Sequence, residues 1–79
     1  MNAQTTDQLQ DIFRAVFDLP AGADVSGLRQ MHTSAWDSLA HVALVTAIES
    51  EFCVSLDAAD QLQMTSYTAT ALLLEERGL

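Results

Sequence analysis

Apolar residues recur at steps of three and four in three stretches of this chain, and that spacing predicts helices. The first stretch runs from about Thr6 to Asp18 and sets Leu9, Ile12, Phe13, Val16 and Phe17 on one side. Thr5, Thr6 and Asp7 offer caps and early negative charge, and Leu19-Pro20-Ala21-Gly22 ends it. The second starts near Asp37 or Ser38 and carries Leu39, Val42, Val45, Ile48 and Phe52, with Leu44 widening the stripe and Glu49, Ser50 and Glu51 as its wet end. The third starts near Thr65 or Ser66, turns Tyr67, Ala71, Leu72 and Leu74 inward, and ends at Arg77-Gly78. Asp57 to Gln61 suits one short extra turn. No segment alternates apolar and polar residues long enough to argue for a sheet. The predicted fold is therefore all-α, a small bundle of three main helices plus one short helix. A single domain covers residues 1–79, with a long loop from Leu19 to Trp36 that either crosses the bundle or serves a function. The expected core is Leu9, Ile12, Phe13, Val16, Leu44, Ile48, Phe52, Leu72 and Leu74.

Composition narrows the possible functions. With 49% hydrophobic and 18% charged residues the chain is too apolar for a disordered tail. Its one cysteine, Cys53, excludes an internal disulfide and fits a reducing, cytoplasmic setting. Between Phe52 and Val54, that thiol reads as a small buried hydrophobe. Eleven acids face three arginines (Arg14, Arg29 and Arg77) and no lysine, a net charge of −8. Nucleic acid and anionic membranes both require clustered cations, so neither is an expected partner. The polar start of the chain does not read as a secretory signal, and its apolar runs are too short to span a bilayer. The expectation is a monomer that meets basic partner surfaces through its field.

Asp37, Ser38 and His41 invite a hydrolase reading, since Ser38 and His41 share a helix face. A triad also needs an oriented base, an oxyanion hole and a cleft, and there is no Gly-x-Ser-x-Gly elbow. The chain is not expected to be an enzyme. His32, His41 and Cys53 match no zinc spacing, and Asp57-Ala58-Ala59-Asp60 lacks the alternating oxygens and glycine of a calcium loop. His32 then reads as a solvated loop residue and His41 as a surface residue of the second helix. What remains is a serine at a helix start, where an enzyme can reach it and where a phosphate would meet the positive end of the helix dipole. Asp and Ser are also the commonest helix caps, so a purely structural role fits the same two residues.

The run from Trp36 to Phe52, with Asp37-Ser38-Leu39 followed by Val42, Leu44, Val45, Ile48 and the acidic Glu49-Ser50-Glu51, resembles the modification-site helix of acyl carrier proteins. The resemblance covers nearly the whole chain: first amphipathic helix, long loop, short helix after Val54-Ser55-Leu56, and Met64-Thr65-Ser66-Tyr67 opening the last helix. It implies that Ser38 receives 4′-phosphopantetheine from coenzyme A through a separate phosphopantetheinyl transferase, with Asp37 contacting that transferase or its metal. The terminal thiol of the arm then carries acyl groups as thioesters. The resemblance also implies that Leu39 and Val42 help dock acyl-loading and acyl-processing enzymes, whose basic surfaces would meet Glu49 and Glu51. The chain would be a tether that raises the local concentration of its cargo.

Departures from the family pattern shape that expectation. Ala35 stands where the family usually has glycine, and Trp36 replaces a smaller residue; as a loop anchor Trp36 would cover the core. Ala40 and Ala43 occupy positions where fatty-acid carriers often have acids. These differences favour cognate enzymes of a dedicated pathway, such as polyketide or other secondary metabolism. An aminoacyl or peptidyl carrier is the alternative, although Ala35-Trp36-Asp37 differs from the Gly-Gly-His/Asp-Ser pattern of that class. An unmodified helical interaction module is the remaining one.

Overall fold

The computed structural model describes all 79 residues and contains four α-helices and no sheet. They are α1 (Ala3–Val16), α2 (Ser38–Phe52), α3 (Ala58–Gln63) and α4 (Tyr67–Glu76), with a 3-10 turn at Gln30–His32 inside the long connection. The all-α bundle expected from the spacing is the fold.

α1 begins three residues earlier than its apolar pattern suggests, because Asn2 rather than a threonine caps it. The Asn2 Oδ1 accepts the Thr5 N–H at 2.8 Å. Leu9, Phe13 and Phe17 turn inward and are buried, whereas Ile12 and Val16 are half-buried at the flanks of the stripe. The helix closes with Asp18 in the left-handed region (φ 54°), and the Leu19 N–H returns to the Arg14 carbonyl at 2.8 Å. Arg14 then binds the departing loop, donating from Nε to the Ala23 carbonyl at 2.8 Å while pairing with Asp11.

The connection between α1 and α2 is fixed to the bundle rather than free. The Gln30 N–H donates to the Thr65 carbonyl at 2.9 Å and the Tyr67 N–H to the Leu28 carbonyl at 3.0 Å, stitching the loop to the start of α4. Val25 and Trp36 drop from this loop into the core. Trp36 is 3% exposed and packs on Phe13 and Phe17 with ring centroids 5.7 and 5.1 Å away; Phe13 also meets Tyr67 edge-on at 5.2 Å. Each such side chain contributes about 1.5–3 kcal/mol by leaving water. The expected role of Trp36 as an anchor over the core matches its position.

α2 lies chiefly against α1, and α3 against α4. α2 buries Leu44, Val45 and Ile48, leaves Phe52 half-buried, and stops at Cys53 in a left-handed conformation (φ 53°). That turn carries the thiol outward, so Cys53 is exposed and not the buried hydrophobe its neighbours suggested. α3 is opened by a capping box. Asp57 accepts the Asp60 N–H at 2.8 Å and Asp60 accepts the Asp57 N–H at 3.0 Å. Asp60 is buried and also pairs with Arg77 from the end of α4.

α4 corrects the core assignment at one position. Its inward residues are Tyr67, Thr70, Leu73 and Leu74, with Ala71 at the margin, so Leu72 points out and is 56% exposed. In the run Leu72-Leu73-Leu74 composition cannot choose a register. The Ser66 cap, accepting the Ala69 N–H at 2.9 Å, fixes where the helix begins, and the packing of Tyr67 and Thr70 in its first turn sets which face turns inward. Thr70 is fully buried at no polar cost, because its hydroxyl donates to the Ser66 carbonyl at 2.8 Å.

Candidate functional site

The start of α2 assigns separate tasks to Asp37 and Ser38. Asp37, with extended backbone (φ −90°, ψ −174°), is the cap: its carboxylate accepts the Ala40 N–H at 2.8 Å and its carbonyl the His41 N–H at 2.9 Å. Ser38 is therefore the first helical residue. It is exposed, and its hydroxyl plays no part in the cap. The remaining N–H groups of this turn and the positive end of a 15-residue helix dipole lie beside it.

From Ser38 an exposed strip runs along the outside of α2 through Leu39, Val42, Ala43, Thr46 and Ser50. Leu39 is 79% and Val42 61% exposed, and their spacing of three places them on one face, next to the serine. The strip carries no charge until Glu51, at the far end of the helix. Ala40, one of the positions where an acid was noted as missing, is half-buried against the core. An acid there would meet apolar packing.

The two carboxylates expected to meet partners are placed differently from each other. Glu49 is half-buried, and its carboxylate accepts the Leu56 N–H at 2.8 Å, tying the end of α2 to the approach of α3. Glu51 is exposed and accepts a hydrogen bond from the Gln8 amide on α1 at 3.2 Å. Glu49 thus has a structural partner of its own, which sequence spacing did not reveal.

His41 is not the free surface residue expected from its position. It is half-buried: the Trp36 indole donates from Nε1 to His41 Nδ1 at 2.9 Å, and His41 Nε2 lies 3.0 Å from the Gln61 carbonyl. One signal for this was available, since burying Trp36 obliges its N–H to find an acceptor. His32, by contrast, is exposed on the loop as expected.

Elsewhere the surface offers one open groove of about 740 Å³, where the loop meets the start of α4. Arg29, His32 and the hydroxyls of Ser26, Thr65 and Thr68 line it without any carboxylate, and it shares no residue with the Ser38 site. Arg29 is the one arginine with no acidic partner. No group of three or more His, Cys, Asp or Glu side chains converges to hold a metal ion, and no helix is long and apolar enough to cross a membrane.

Two carboxyl groups are held below the usual carboxylate range. For Asp24 the cause is hydrogen bonding from the Ser26 hydroxyl and then from its N–H. For Asp60 it is first the Asp57 N–H, opposed by burial and then reinforced by Arg77. Neither belongs to the α2 start.

Comparisons of the chain with protein-family models, with curated proteins and with solved structures return no match. The reading of the site rests on its residues.

Proposed function

We propose that this chain is an acyl carrier protein, with Ser38 the attachment point for a 4′-phosphopantetheine arm. The observation that supports the reading best is the division of labour at the start of α2. Asp37 holds the cap alone, so the neighbouring hydroxyl is exposed and structurally unemployed. A serine kept only to start the helix would be expected to make that hydrogen bond itself.

The residues present fit the group. The Ser38 Oγ is the nucleophile a transferase needs: it forms the new bond to phosphorus, gives up its proton, and displaces the nucleotide half of coenzyme A. The resulting phosphodiester, negatively charged, sits at the positive end of α2. When bound, the arm supplies a thiol that carries acyl groups as thioesters. Leu39 and Val42 present the apolar surface that partner enzymes grip, and Glu51 and Asp37 supply negative charge at either end of the strip. Glu49 contributes less than its sequence position suggests, being engaged with Leu56. With so few acids on the outer face of α2, the favoured partners belong to a dedicated pathway such as polyketide or other secondary metabolism.

The test is transfer in vitro. Incubation with coenzyme A, magnesium and a broad-specificity phosphopantetheinyl transferase is expected to add one phosphopantetheinyl mass to the wild-type protein and none to Ser38→Ala. Wild type left unmodified by several such transferases would reject the carrier reading in favour of an unmodified interaction module.

A further inference from the structure

The contact between Trp36, His41 and Gln61 has a property that neither the fold nor the carrier reading requires. An indole N–H can only donate. The 2.9 Å contact from Trp36 Nε1 therefore obliges His41 Nδ1 to be the acceptor, and the ring proton must sit on Nε2. That proton is then donated to the Gln61 carbonyl at 3.0 Å. The two bonds coexist in one protonation state alone, the neutral imidazole with its hydrogen on Nε2. A second proton would place N–H against N–H across the Trp36 contact.

The two contacts join three parts of the molecule. Trp36 belongs to the loop two residues ahead of Ser38, His41 to the first turn of α2, and Gln61 to α3. Gln61 is fixed in turn by its side-chain amide, which donates to the Leu56 carbonyl at 3.0 Å. Trp36 is also buried against Phe13 and Phe17, so losing its acceptor leaves a donor out of reach of water.

No nearby carboxylate takes over. α2 brings Asp37, one turn before His41, but that side chain caps Ala40. α3 brings Asp57 and Asp60, engaged with each other's backbone N–H groups, and α4 reaches Asp60 with Arg77. α1 contributes the Phe13 and Phe17 rings, through Trp36.

We propose that Trp36, His41 and Gln61 form a proton-operated latch. With neutral His41 it joins the loop ahead of Ser38 to the start of α2 and to α3; a proton on Nδ1 breaks the Trp36 bond and frees the loop, while Nε2 keeps its bond to Gln61. The latch is closed at high pH, where His41 is neutral, and opens at lower pH once the second ring proton is bound. It does not depend on Ser38 being modified.

Trp36 is the chain's single tryptophan, so its indole N–H gives one isolated proton resonance. That resonance would be followed by nuclear magnetic resonance from pH 8 to 5 in wild type, His41→Gln and His32→Gln, with the nitrogens of His41 assigned at pH 8. The expected result is the Nε2–H tautomer at pH 8 and a single-proton transition of the indole signal in wild type and in His32→Gln. In His41→Gln that transition should shrink at least tenfold. Trp36→Phe, which keeps an aromatic ring but no donor, covers the case in which His41→Gln fails to fold. There the pH-dependent movement of the loop amide signals from Thr33 to Ala35 should fall severalfold. The proposal is overturned by an Nδ1–H tautomer at pH 8, an indole signal indifferent to pH, a transition that survives His41→Gln or vanishes in His32→Gln, or loop signals from Thr33 to Ala35 that respond equally in Trp36→Phe.

Discussion

α1 and α2 are of nearly equal length and pack on each other, yet they use apolar residues in opposite ways. α1 is strongly amphipathic: Leu9 and Phe13 are buried in it, and its other side is polar. α2 is apolar almost all round, burying Leu44, Val45 and Ile48 on one side while leaving Leu39 and Val42 in solvent on the other. In α1 the apolar count equals what the fold uses. In α2 there is a surplus, and it lies next to an exposed serine. Under the proposed function, these are the side chains a partner would cover.

The sharpest way to break this comparison is to truncate both faces. Phe13→Ala should cost about 3–5 kcal/mol and Leu44→Ala about 2–5 kcal/mol in urea unfolding, since both are fully buried. Leu39→Ala and Val42→Ala should stay within about 0.5 kcal/mol of wild type. A core-sized loss at Leu39 would mean that the outer face stabilises the fold after all.

A smaller effect separates Asp37 from Ser38. Asp37→Ala removes the cap of α2 and should cost about 0.5–2 kcal/mol. Ser38→Ala should be nearly silent in the same unfolding curves, because the hydroxyl has no part in the cap. If the two costs were reversed, the serine would be a structural residue.

Much of this architecture was legible in the sequence, and the exceptions share a cause. The helices and the long loop follow from spacing and from the breakers at Leu19–Gly22, and Trp36 was read as a loop anchor over the core, where it lies. Leu72 was misplaced because three consecutive leucines offer every phase, and the one used is set by how α4 packs, with Tyr67, Thr70, Leu73 and Leu74 inward. Asn2 was missed because a cap is recognised by a hydrogen bond and not by apolar periodicity. Glu49, His41 and Asp60 share a harder problem. Each is held by a partner from another part of the chain, Leu56, Trp36 with Gln61, and Arg77 respectively, and such pairings emerge only when the helices are packed. At the candidate site Ser38 is the exposed first residue of α2, and Leu39 and Val42, which spacing had set on one stripe with Val45 and Ile48, turn outward while those two are buried. The cap, which either residue suited, belongs to Asp37.

The smallest effect expected is in acid, and it concerns α3. Because the carboxyl of Asp60 is held below its ordinary value in the fold, its contacts stabilise the protein above the usual carboxylate range. That contribution is lost as the pH falls below about 3.9 and through the folded-state value. Asp60→Asn should lower the thermal midpoint at pH 7 and flatten its decline as the pH falls below about 3.9. An acid limb unchanged in that variant would place the sensitivity elsewhere, with Asp24 the next candidate.

The central claim is that the exposed serine at the start of α2 is kept for attachment and not for folding. The most direct measurement is the intact mass of the protein purified from its own cells, followed by fragmentation to locate any added group. The account predicts one phosphopantetheinyl group, with or without an acyl cargo, on the fragment containing Ser38. A chain recovered only at its unmodified mass, or modified at a residue other than Ser38, would contradict it.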